Sequence, residues 1–192
     1  MAQETMRKAL NKIFWGYLFV LIEIHIFVID ILPEPVGYYL IFSGISLLMN
    51  DFKNGHKAKS IALALIIVSI PTTFVQQNTG ADQLGQLSFL SGWSIYMTLL
   101  GVAKLILVFY IFQLIMEIVQ RAGDAALISR SSRTFRIYIS VMILILIVNS
   151  FSINFPMRQF MGIGIISVII GFIMEIMFMV LLRSIRKIDF EG

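Results

Sequence analysis

Six apolar runs, each near the length of a bilayer crossing, divide this 192-residue chain. They cover about 13–32, 36–50, 60–77, 89–119, 135–153 and 159–182. In hydrocarbon no water is available to bond the backbone, so runs of this kind predict α-helices that satisfy their own N–H and C=O groups. At 1.5 Å per residue the second run reaches only about 22 Å. The fourth is long enough to tilt strongly or to project beyond the bilayer. Hydrophobic residues make up 58% of the chain and charged residues 14%, against about 45–50% and about 25% in soluble domains. A soluble core of this length could not bury that surplus. The expected fold is an all-α polytopic integral membrane protein, a single transmembrane domain over 1–192, with the lipid bilayer as part of its solvent.

The charged residues orient it. Arg7, Lys8 and Lys12 precede the first run, and Lys53, Lys57 and Lys59 lie between the second and third. Arg121, Arg130, Arg133 and Arg136 follow the fourth, and Arg183, Arg186 and Lys187 follow the sixth. The three alternate connections (PEP, QQNTGADQLGQLS and SINFPMRQF) hold one basic residue, Arg158. Basic residues favour the cytoplasmic side. Six transmembrane helices with both termini in the cytoplasm are therefore expected, in a bacterial cytoplasmic membrane. The net charge of +4 then reflects orientation and contact with anionic headgroups, and no nucleic-acid partner is expected.

Other classes fall away on residue type. The chain has no cysteine, which removes disulfides, thiol chemistry and Cys-type metal sites. The basic start resembles a signal peptide, but the run from Ile13 to Ile31 is too long and carries Glu23 and His25. No H-E-x-x-H, G-x-S-x-G or chelating cluster of acids is present. The MGIGII string lacks the setting of a phosphate-binding loop and reads as helix packing. Connections of at most about 17 residues leave no room for a soluble catalytic domain. Neither an enzyme nor a cofactor or metal site is expected.

Ionisable residues inside the runs are the candidate functional groups, because a charge at mid-bilayer costs about 2.5–3.5 kcal/mol and faces protein or water. They are Glu23, His25, Asp30, Lys104 and Glu175. Glu23 and Asp30, seven apart, share a helix face, whereas His25 lies about 200° from Glu23, so the pair cannot chelate one metal. Asp30 and Glu34, around Pro33 and Pro35, read as an acidic outer rim. Lys104 falls near mid-membrane, with Glu23 or Asp30 within reach as partner. Glu117 pairs with Arg121 at i,i+4.

Small residues mark expected close packing: Gly37, Gly44, Gly101, Gly164 and Gly171. Gly164 and Gly171 share a face with Glu175, which directs that face inward. Trp15, Tyr17, Trp93 and Tyr96 read as interfacial anchors. A faint repeat at an offset of 121 aligns Phe14, Tyr17 and Pro35 with Phe135, Tyr138 and Pro156.

The stretch ILPEPVGYYLIFSGISLL resembles a hairpin of small multi-span proteins of Gram-positive bacteria, to which no catalytic role is attached. It reads as a helix stop, a tight turn and a closely packed restart. Length and six helices are also similar to the substrate-binding membrane subunits of energy-coupling-factor transporters. Their first helix is alanine-rich, whereas residues 13–31 here contain no alanine.

Three roles for the interior charges follow. They glue helices through buried pairs, they line a path for a solute or ion, or they meet another subunit. The leading expectation is non-enzymatic transport or solute binding through a polar seam. The alternative is an accessory or immunity-type subunit on a larger membrane complex, with a membrane-protein partner or a homo-oligomer as the assembled form.

Overall fold

The computed structural model describes residues 3–25, 34–76, 92–152 and 157–187. They form α1 (Gln3–His25), α2 (Glu34–Leu48), α3 (Gly55–Val68), α4 (Ile70–Gln76), α5 (Gly92–Ala122), α6 (Ala125–Ser152) and α7 (Met157–Ile185). Ser69 alone separates α3 from α4, so the two are one rod with a break. Each rod packs on the next in chain order, and α7 returns to α1. The arrangement is a closed ring.

The α1–α2 contact is the closest in the ring, and small residues make it so. A Cβ on Gly16 would lie 2.6 Å from the Gly37 carbonyl oxygen. One on Gly37 would lie 2.6 Å from Val20 Cγ2, and one on Gly44 2.7 Å from the Ala9 carbonyl oxygen. Backbone therefore meets backbone. The buried face of α1 (Met6, Ala9, Leu10, Ile13, Tyr17, Val20, Leu21) recurs every three or four residues, the helical period. It begins at Met6, so the first turns of α1 already belong to the core.

Gly101, Gly164 and Gly171 differ. No atom lies within 4 Å of a Cβ built at any of them. Among the described residues, no neighbouring helix comes close at these three glycines, so the close packing expected there is not made by them.

Two connections explain where helices stop. Gly123 has φ +74 and its N–H bonds the carbonyls of Val119 and Gln120 at 3.1 and 3.2 Å, which caps α5. Asp124 Oδ1 then accepts from the N–H groups of Ala126 and Leu127 at 2.9 and 3.0 Å, which starts α6. Residues 125–134, expected as loop, are thereby helical. In the α3–α4 rod, Pro71 has no N–H to donate. The chain tightens there, with the Thr72 N–H on the Ser69 carbonyl at 3.2 Å, and the freed Val68 carbonyl accepts the Tyr96 hydroxyl of α5.

Among the described residues, three helices are long and apolar enough to cross a membrane: α5 over Ile95–Ala122, α6 over Ala125–Asn149 and α7 over Gly162–Ile185. Their outward side chains include Leu99, Ile106, Leu144, Ile147, Ile165, Val168, Ile169 and Ile173, all exposed. Apolar surface of this extent marks a membrane-embedded protein. Against the six expected spans, α2 and α3 have 15 and 14 residues, about 22 and 21 Å. Alone, each is shorter than a hydrocarbon core of about 30 Å.

Adding one methyl group should separate these two kinds of glycine. Gly37→Ala is expected to lower stability by about 1–3 kcal/mol through overpacking. Gly171→Ala is expected to be neutral or to gain about 0.5–1 kcal/mol from helix propensity. Thermal unfolding in mild detergent reads both.

Candidate functional site

Two polar clusters interrupt the apolar interior. The first is built on α2, α4 and α5. Pro35 follows Glu34 at the first turn of α2, where its missing N–H costs nothing, and a carboxylate suits that positive helix end. Glu34 is 4% exposed and forms an ion pair with Lys104 of α5 through Oε1. Thr72 of α4 places its hydroxyl 3.2 Å from Glu34 Oε2 and 2.6 Å from the Ser69 carbonyl. The Tyr38 hydroxyl lies 3.5 Å from Glu34 Oε1. Glu34 is thus not part of an outer acidic rim. It is a partner of Lys104, because α2 begins two residues earlier than expected and its first turn reaches α5; of the partners expected, Asp30 and the Glu23 side chain lie outside the described residues.

The second cluster joins α1, α6 and α7. Glu175 of α7 accepts a hydrogen bond from the Tyr17 hydroxyl at Oε2 and one from the Tyr138 hydroxyl at Oε1, the latter 3.0 Å long. The two phenol oxygens are themselves 3.1 Å apart. Rings seal the group: Phe178 meets Tyr17 edge-on at 4.6 Å between centroids, and Phe112 lies 4.7 Å from Phe178 and 5.5 Å from Tyr138. Such contacts fix phenol orientation as well as filling space. Tyr17 is consequently an interior residue and not an interfacial anchor. Phe112, about two turns beyond Lys104 on α5, packs on both Tyr138 and Phe178, so one helix borders both clusters and they form one seam.

Glu23 and His25 lie in the last turn of α1, and Asp30 lies outside the described residues. Glu117 takes Asn54 at 2.6 Å and not Arg121, whose guanidinium lies 5.1 Å over the Phe52 ring. The α2–α3 turn, held by hydrogen bonds from Asp51 and Phe52 back to Leu48, carries Asn54 to α5. Further toward the α6–α7 hairpin, Ser167 donates to Asn149 Oδ1 at 3.1 Å.

Sequence reasoning missed Glu34, Tyr17 and Tyr138 as members of the seam. For the tyrosines a signal existed: they are the pair aligned at the offset of 121, and they touch.

No known protein family, curated protein or solved structure matches the chain.

Removing one partner of a buried ion pair leaves the other uncompensated and costs about 3–5 kcal/mol. Lys104→Met is expected to destabilise on that scale, and adding Glu34→Gln should recover more than half of the loss. A double-mutant cycle on thermal unfolding measures the coupling.

Proposed function

We propose that this chain is a small non-enzymatic protein of the bacterial cytoplasmic membrane that binds or moves a small polar solute or ion along the seam. The observation that carries this reading is the pairing of Lys104 with Glu34 beside Glu175 and its two tyrosines. Ionisable groups at membrane depth are costly, and pathways are their best-attested use. The proposed topology has six spans with both termini in the cytoplasm. In it the α3–α4 rod, about 33 Å long over Gly55–Gln76, and the shorter α2 both cross, with apolar side chains such as Tyr39, Leu63 and Ile67 turned outward to lipid. Support comes from the alternation of basic and non-basic connections. The bacterial assignment draws on the resemblance of the ILPEPVGYYLIFSGISLL hairpin. The acids Glu23 and Asp30 and His25 belong to the same proposed seam, toward its outer end.

A second reading draws on one specific observation. Gly164 and Gly171 lie open on α7, among exposed Ile165, Val168 and Phe172, a surface suited to another membrane helix. In that reading the chain is an accessory or immunity-type subunit. Purification in gentle detergent from the native host separates the two. A lone or self-associated protein supports transport or binding, and a defined set of co-eluting membrane proteins supports the subunit.

The natural absence of cysteine makes the topology directly measurable. Single cysteines at His56→Cys and Asp82→Cys should react with a membrane-impermeant maleimide from opposite sides, His56→Cys only from the cytoplasmic face. Labelling of both from one side removes the six-span reading. For the pathway itself, the Lys104→Met, Glu34→Gln double variant, which leaves no lone buried charge, should reconstitute in liposomes as a folded protein and lose solute binding or flux.

A further inference from the structure

Three oxygen-to-oxygen contacts close a ring in the second cluster: Tyr17 with Glu175 Oε2, Tyr17 with Tyr138, and Tyr138 with Glu175 Oε1. Each contact needs one hydrogen. The two phenols bring two. If the carboxyl group is ionised it accepts only, both phenol hydrogens point at it, and the Tyr17–Tyr138 contact holds none. Two oxygens 3.1 Å apart without a hydrogen between them repel. A third hydrogen, on Glu175, completes the ring: carboxyl O–H to one phenol, that phenol to the other, and the second phenol to the remaining carboxyl oxygen.

Charge counting reaches the same result separately. Among the described residues, Glu175 is hydrogen-bonded by Tyr17 from α1 and Tyr138 from α6 and is in no ion pair; Lys104 of α5 is the basic group that borders the same seam. Lys104 is already bonded to Glu34, itself buried. One cation therefore faces two carboxyl groups, and its contact is with the other one. An ionised Glu175 would be a net negative charge in an apolar surround, whereas a neutral one leaves the seam balanced.

From the ring and the charge count we infer that Glu175 is a proton-binding site, with its carboxyl group protonated in the resting protein. This rests on the seam reading and names its coupled species: a proton, not a metal cation. Release moves that proton from the carboxyl oxygen to water and leaves a carboxylate. The hydrogen bond between Tyr17 and Tyr138 is then lost, and α1 and α6 are pushed apart at that level. The contact is made at low pH and broken as pH rises.

Infrared difference spectroscopy on the purified full chain tests this without any transport assay. The wild type should show a protonated-carboxyl C=O band that shifts in heavy water, disappears in Glu175→Gln and moves to higher frequency in at least one of Tyr138→Phe and Tyr17→Phe, the one that removes the hydrogen bond to the C=O. Protonated Glu23 or Asp30 would contribute equally to wild type and Glu175→Gln, so the difference isolates Glu175. Identical C=O bands in the two overturn the inference. If Glu175→Gln fails to fold, Tyr138→Phe and Tyr17→Phe decide: a band unshifted in both overturns it. A solute-binding protein with no Glu175 C=O band loses only the proton site. A protein with that band that binds and moves nothing loses only the pathway.

Discussion

Lys104 cannot be left alone in an apolar helix. Its ammonium group requires a partner inside the bundle, and Glu34 supplies it from the first turn of α2. That one ion pair ties the early part of the chain to α5. It brings Thr72 to the carboxylate and so fixes how α4 leaves the break at Ser69. It also takes up the cation that would otherwise answer Glu175, which leaves that carboxyl group to its two tyrosines. Buried ion pairs contribute little net stability but are costly to break. This one therefore acts chiefly on arrangement, by tying the first turn of α2 to α5.

The ring is unevenly built around that tie. On the α1–α2 side, glycines bring backbones into contact, and the core side chains Ile13, Ile41, Ile45 and Leu48 are almost fully covered. On the α6–α7 side, much of each helix is outward-facing isoleucine, leucine and valine, and the glycines of α7 meet no neighbour. Tight packing resists deformation. The α6–α7 side, where among the described residues no backbones meet at glycine, is the side that carries Tyr138 and Glu175.

What the sequence made legible follows from which signals are local. Apolar runs gave the helical class, and three of them are long and apolar enough to cross a membrane as single helices. Gly37 and Gly44 lie where backbones meet, and small residues in an apolar hairpin pointed there. Gly16 was not read, since its partner Gly37 lies on another helix. The same limit hid the site. Glu34 beside two prolines looked like a rim residue because helix starts are uncertain by one or two positions, and that shift turns a side chain from outward to inward. Tyr17, near the start of a run, carried the statistics of an interfacial anchor. Only its alignment with Tyr138 hinted otherwise. Residues 125–134 looked like a basic loop because arginines dominate them, whereas Asp124 as a cap and the alanines after it decide for helix.

The break between α3 and α4 bears on the seam in a further way. A helix interruption away from water is tolerated where the released backbone groups find partners, and here Val68 and Ser69 present their carbonyls to Tyr96 and Thr72. Main-chain oxygens thus stand beside the Glu34–Lys104 pair. They carry permanent dipoles that neither acidity nor substitution removes. Stripping the side-chain charges from this level would leave it polar still, so the interior keeps an attraction for water and for cations that belongs to the chain's path and not to any one residue.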